Sequence, residues 1–134
     1  MNILIDWPAR GHNYTKSEIN TVSELLFKKN TTLTQGEHVK KFEEKFAEYI
    51  GVSKAFSLMS AAHGLDIAAM LIDIKPGDEV IIPAHTYCAS ALAFARKGAI
   101  IRWADVRHDT FTVSIESIRA LVTDKTKAIV VVHL

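Results

Sequence analysis

The sequence predicts an α/β fold: a mostly parallel sheet with helices on both faces. Short apolar runs, AFSLM, EVIIP, IIRWAD and AIVVVHL, are together rich in β-branched residues and too short for amphipathic helices. They alternate with helical stretches at Ala62 to Ile72, Tyr87 to Lys97 and Ile115 to Val122. Repeated strand, helix, strand order demands crossover connections, which make successive strands parallel and cover both sides of the sheet.

Taken in order, Thr15 followed by Glu18 has the form of a capping box. It opens KSEINTVSELLFKK, whose Ile19, Val22, Leu25 and Leu26 fall on one helical face. A second helix is expected through EHVKKFEEKFAEYIG, with Val39, Phe42, Phe46 and Ile50 inward, charges outward and Gly51 ending it. Strands are then expected around Ala55–Leu58, Val80–Ile82, Ile100–Trp103 and Ala128–Val132. The turn chemistry agrees: KPGDE separates a helix from a strand, Gly98 follows a helix, and Ser114 precedes another as its cap. No linker, repeat or low-complexity stretch interrupts the chain. It stops at Leu134 directly after an apolar strand, with no helix following to cover it. Residues 1–134 therefore read as a single incomplete domain, an amino-terminal piece of something longer.

Composition excludes several classes of function. Nearly half of the 134 residues are apolar, enough for a real core. Lys and Arg (16) nearly balance Asp and Glu (15), so the one-signed charge of a nucleic-acid or membrane-surface binder is missing. The apolar runs are far too short to cross a bilayer. Cys88, the sole cysteine, rules out an internal disulfide framework. The opening MNILIDWPAR lacks the pattern of a signal peptide, which makes a cytoplasmic location the expectation.

The stretch FSLMSAAHGLDIAAML places Ser60, Ala61 and Ala62 where a strand gives way to a helix. In open α/β sheets ligands gather at the carboxyl ends of strands, and helix N-termini there present free N–H groups suited to phosphate. Small side chains let an anion approach such a backbone; equally, they permit tight strand–helix packing, and local sequence leaves both readings open. Neither G-x-x-x-x-G-K-[ST] nor G-x-G-x-x-G occurs. The six histidines, His12, His38, His63, His85, His108 and His133, are too widely spaced to form paired metal-ligand motifs. Cys88, at an apolar helix start without a recognisable triad, reads as a buried structural thiol.

The helix VKKFEEKFAEYIGV, then KPGDEVIIPAHTYCAS, then D-x-x-x-D-T-F-T from Asp105 to Thr112, and lastly T-K-A-I-V-V-V-H-L together resemble the amino-terminal part of the DegT/DnrJ/EryC1/StrS aminotransferases. The likeness runs from about Thr15 onward. It implies the amino-terminal part of the large domain of a fold-type I transferase dependent on pyridoxal 5'-phosphate (PLP). The family usually has Ser-Gly-Thr where this chain has Ser60-Ala61-Ala62, and there backbone amides and the Thr hydroxyl hold the coenzyme phosphate. Ala61 and Ala62 keep their amides. The lost hydroxyl removes a charge-assisted hydrogen bond worth roughly 1.5–3 kcal/mol. Tyr87 matches the aromatic that lies against the pyridine ring.

The resemblance further implies an aminotransferase acting on a nucleotide-linked keto sugar, with an amino donor such as glutamate, working as a homodimer without nucleic acid or membrane. Transamination needs a lysine that holds the coenzyme covalently and a carboxylate on the ring nitrogen. In the family both lie beyond the position of Leu134, so no catalytic residue is assigned within the chain, and alone it is expected to be inactive. Two alternatives stand beside this reading: a PLP-dependent sugar dehydratase of the same family, and a non-catalytic regulatory or remnant protein.

Overall fold

The computed structural model describes residues 13–29, 32, 34 and 36–133. The chain divides into two compact units, Met1–Ser57 and Leu58–Leu134.

The first unit contributes two helices, α1 (Lys16–Phe27) and α2 (Glu37–Ile50). The expected capping box is formed: Thr15 Oγ1 accepts from the Glu18 N–H at 3.2 Å while Glu18 Oε2 accepts from the Thr15 N–H at 2.7 Å. Helix α2 ends where Gly51 turns left-handed, with φ 79°. Most residues on the expected inward faces are exposed, Leu25 being half-buried. Ile19, Val22 and Leu26 on α1 are exposed, as are Val39, Phe42, Phe46 and Ile50 on α2, where Ala47 alone is buried. Amphipathic spacing names the face that would be buried without supplying the surface that buries it. Phe42 and Phe46 instead lie one turn apart with ring centroids separated by 5.9 Å. The strand expected at Ala55–Leu58 is also not formed. A strand exists only with a ladder partner, and the Ser57 N–H is taken by the Glu43 side chain at 2.6 Å.

The second unit is the α/β body. It holds α3 (Ala61–Leu71), β1 (Glu79–Pro83), α4 (Ala89–Ala95), β2 (Ile100–Ala104), α5 (Ile115–Leu121) and β3 (Thr126–Ile129). The strands form a parallel sheet in the order β2-β1-β3. The register runs Glu79 to Ile100 through Pro83 to Ala104 on one side of β1. On the other side, Glu79 faces Thr126 but Val80 faces Ala128, so Lys127 is an extra residue in β3. Every residue of central β1 is buried, as the run EVIIP requires of a strand with neighbours on both edges and layers on both faces. Val80 and Ile82 pack with Ala69, Ile74, Ala91, Ala93 and Phe94 in the main core. At the start of β1 buried Glu79 accepts from Thr123 Oγ1 at 2.7 Å and faces Arg102 at 3.8 Å.

The turns follow their residues. Gly98, at φ 85°, closes the α4–β2 connection, and a Cβ there would stand 3.0 Å from Pro76 Cγ; only glycine fits this packing of two turns. Helix α4 is shorter than Tyr87 to Lys97, because Cys88 is its cap and Tyr87 precedes it. Ser114 caps α5 by accepting from the Ser117 N–H at 3.2 Å.

The chain moves from β1 to β2 in one direction across the sheet and from β2 to β3 in the other. With right-handed crossovers, opposite directions place α4 and α5 on opposite faces. The loops leaving β1 and β2 thus diverge at their carboxyl ends, the kind of switch point where open α/β sheets bind ligands.

Candidate functional site

Helix α3 leads through the turn at Lys75–Asp78 into the start of β1, and α4 leads through Gly98 into the start of β2. Each helix therefore runs back along the sheet, with its first turn at the end where the strands finish. The two helices pack on one another, and Asp66 pairs with Arg96 at 3.4 Å.

Ser60 is the extended cap of α3, and its Oγ accepts from the His63 N–H at 3.2 Å. The Ser60 carbonyl accepts the first helical bond, from Gly64. Ala61 and Ala62 are the first two helical residues, and among the described residues their N–H groups have no acceptor. Ser60 and Ala61 are exposed and Ala62 is half-buried, so solvent or an anion reaches them. Gly64 lies one turn further on, where the Leu58 side chain would meet a Cβ at 3.4 Å. The Leu58 distance is an ordinary contact and residues 55–58 form no strand, so among the described residues the turn shows open amides at Ala61 and Ala62 and no tight strand–helix packing.

Tyr87 stands in the loop between β1 and α4, with its side chain 77% exposed and therefore free to lie against a ligand. Its carbonyl accepts from the Ser90 N–H at 2.9 Å, and next to it Thr86 Oγ1 donates to Ser90 Oγ at 2.8 Å. Two short bonds fix the backbone on either side of the ring. Cys88 is not the buried thiol expected; it is exposed at the helix cap, because α4 turns Ala91, Ala93 and Phe94 inward.

One contact was not read from the sequence, although the stretches that carry it were quoted for the resemblance. Past β2, the stretch Asp105 to Ser114 folds back on itself through an antiparallel bridge between Val106 and Val113. Arg107 grips Asp109 with two hydrogen bonds, at 3.0 and 2.7 Å. That contact lowers the Asp109 carboxyl below the usual carboxylate range and raises Arg107. At the tip Phe111 takes a left-handed backbone, φ 55°, and its ring meets His85 edge-on at 6.1 Å and 75°. Nothing in the periodicity or turn composition marked the contact between His85 and Phe111. Among the described residues, no cluster of His, Cys, Asp and Glu has the makings of a metal site, and no helix is long and apolar enough to cross a membrane.

The parallel sheet with its alternating helices is an α/β body of the fold-type I class. The chain belongs to the DegT/DnrJ/EryC1/StrS aminotransferase family, whose model matches residues 12–134. Among its curated relatives is the GDP-4-keto-6-deoxy-D-mannose 3-dehydratase of Yersinia pseudotuberculosis, 33% identical over 98% of this chain and 35% of the relative. Among solved structures, the aminotransferase from Psychrobacter cryohalolentis is 36% identical with a TM-score of 0.81, over 91% of this chain and 31% of that one. The E. coli GDP-4-keto-6-deoxy-D-mannose-3-dehydratase with bound hydrated PLP is 26% identical with a TM-score of 0.82, over 94% of this chain and 33% of that one. The chain thus spans about a third of the length of these relatives.

Proposed function

We propose that this chain supplies the phosphate-binding turn and the ring-stacking aromatic of a PLP-dependent enzyme acting on a nucleotide-linked keto sugar, with an amino donor such as glutamate. The observation that carries the reading is the open pair of N–H groups at Ala61 and Ala62, next to the Ser60 hydroxyl, on the first turn of α3. These groups fit a phosphate. The amides and the positive end of the α3 dipole converge on one exposed spot, and Ser60 Oγ retains its own proton to donate while accepting from His63. The side chains of Ser60, Ala61 and Ala62 are themselves too small to block approach.

When bound, the coenzyme supplies the electron sink for carbanion chemistry at the substrate. The chain's own residues bind and orient. Ser60, Ala61 and Ala62 hold the phosphate, and Tyr87 offers a flat face to the ring. No lysine within the chain matches the family's covalent position, so the 134 residues alone are read as binding without turnover. Aminotransferase is the first reading; sugar dehydratase is the second, favoured by the Yersinia relative. The homodimer implied by the resemblance is part of the proposal, and the exposed apolar rows of α1 and α2 support self-association.

The test compares PLP with pyridoxal, which has the ring and lacks the phosphate. PLP is expected to bind at least about tenfold more tightly, and Ala62→Thr, which restores the family's hydroxyl, to tighten PLP by a further factor of about ten. Equal affinities for the two compounds would remove the phosphate site from the proposal.

A further inference from the structure

The left-handed backbone at Phe111 is unusual for a bulky residue and persists only where its surroundings hold it. Here they do so closely. The Phe111 N–H donates to the Arg107 carbonyl at 2.9 Å and the Arg107 N–H to the Thr112 carbonyl at 2.9 Å. The Val106–Val113 bridge and the double bond from Arg107 to Asp109 close the same loop. The result presents the Phe111 ring to one partner, His85.

His85 lies two residues after β1 and two before Tyr87. The His85–Phe111 contact therefore joins the loop leaving β1 to the loop leaving β2 across the switch point, where the chain connections diverge to opposite faces. Near this point the β1 loop has one other tie to β2, from the Ala84 N–H to the Ala104 carbonyl at 2.9 Å. Beyond His85, the Thr86–Ser90 and Tyr87–Ser90 bonds fasten the loop to α4 alone.

We propose that Phe111 is a positioning residue for Tyr87. Its ring, held out by the strained turn, braces His85 from behind, and so sets where the β1 loop carries the Tyr87 ring. The assignment rests on the stacking role proposed for Tyr87; the brace itself does not.

The experiment follows amide exchange and ligand affinity in Phe111→Gly, His85→Ala and Phe111→Tyr. Glycine relieves the left-handed backbone while deleting the ring, so a loss there belongs to the contact and not to strain. In Phe111→Gly and His85→Ala alike, exchange of the Ala84 and Ser90 amides should quicken about three- to tenfold, the scale of one aromatic contact. The amides of Val80, Ile81 and Ile82 should keep their rates, and Phe111→Tyr should behave as the parent. PLP affinity should fall by about the same factor, whereas inorganic phosphate, held only by the first turn of α3, should bind unchanged. Unchanged exchange at Ala84 and Ser90 in either variant overturns the brace, as does acceleration spread equally over β1. If the parent protein binds no PLP, the coenzyme reading fails, and the exchange rates still decide the brace.

Discussion

Ala61→Asp is expected to reduce PLP binding by about a hundredfold or more while leaving the fold at least as stable. A carboxylate on the first helical residue stands at the place proposed for the phosphate. Two like charges about 5 Å apart repel by roughly 3 kcal/mol at an effective dielectric of about 20, and the phosphate carries more than one charge. The same substitution suits the helix, because an acidic side chain in the first turn interacts favourably with the dipole, by about 0.3–1 kcal/mol. Ala61 is exposed, so no packing is lost. Ligand titration and urea unfolding on the same variant separate the two effects. Binding that weakens by less than about threefold would put the anion somewhere other than the first turn of α3.

The second large effect is structural. Ile82→Ala should cost about 3–4 kcal/mol, seen as a lower urea midpoint with an unchanged slope. Ile82 is fully buried in the central strand, in the cluster with Ala69, Ala91 and Phe94. Those neighbours are inward residues of α3 and α4, held by their helices against the sheet. Ile129→Ala in edge strand β3, where the side chain is 45% exposed, should cost about 1 kcal/mol or less. Similar costs at the two positions would mean that β1 is not the centre of the core.

Local chemistry made much of this legible beforehand. Capping by Thr15 and Ser114 and the end of α2 at Gly51 depend on a few neighbouring residues, and the structure agrees with the sequence at each of these positions. Parallel pairing at Val80–Ile82 and Ile100–Trp103 followed from alternating helix and strand. What escaped depended on partners. Residues 55–58 have strand composition and, among the described residues, no ladder, and most residues on the apolar faces of α1 and α2 have the right period yet are exposed. The start of α3 beside Ser60, Ala61 and Ala62 was readable because a helix start is a local event. Phe111 was not. A residue at φ 55° usually announces itself as glycine or asparagine, and here a phenylalanine occupies the position with Arg107, Asp109 and Thr112 holding it from outside.

The strand order also governs how the chain comes to be folded. Central β1 is made before both of the strands that flank it, and its link from Glu79 to Thr123 spans 44 positions. At translation rates of about 5–20 residues per second, roughly 2–9 s pass between the appearance of the two ends of that bond. Helices α1, α2 and α3 precede β1 in the chain. Until β2 has been made the apolar run Val80-Ile81-Ile82 is complete and unpaired on the nascent chain, and its other edge stays open until β3 follows. Ribosome-bound chaperones have their strongest claim on this protein in that interval.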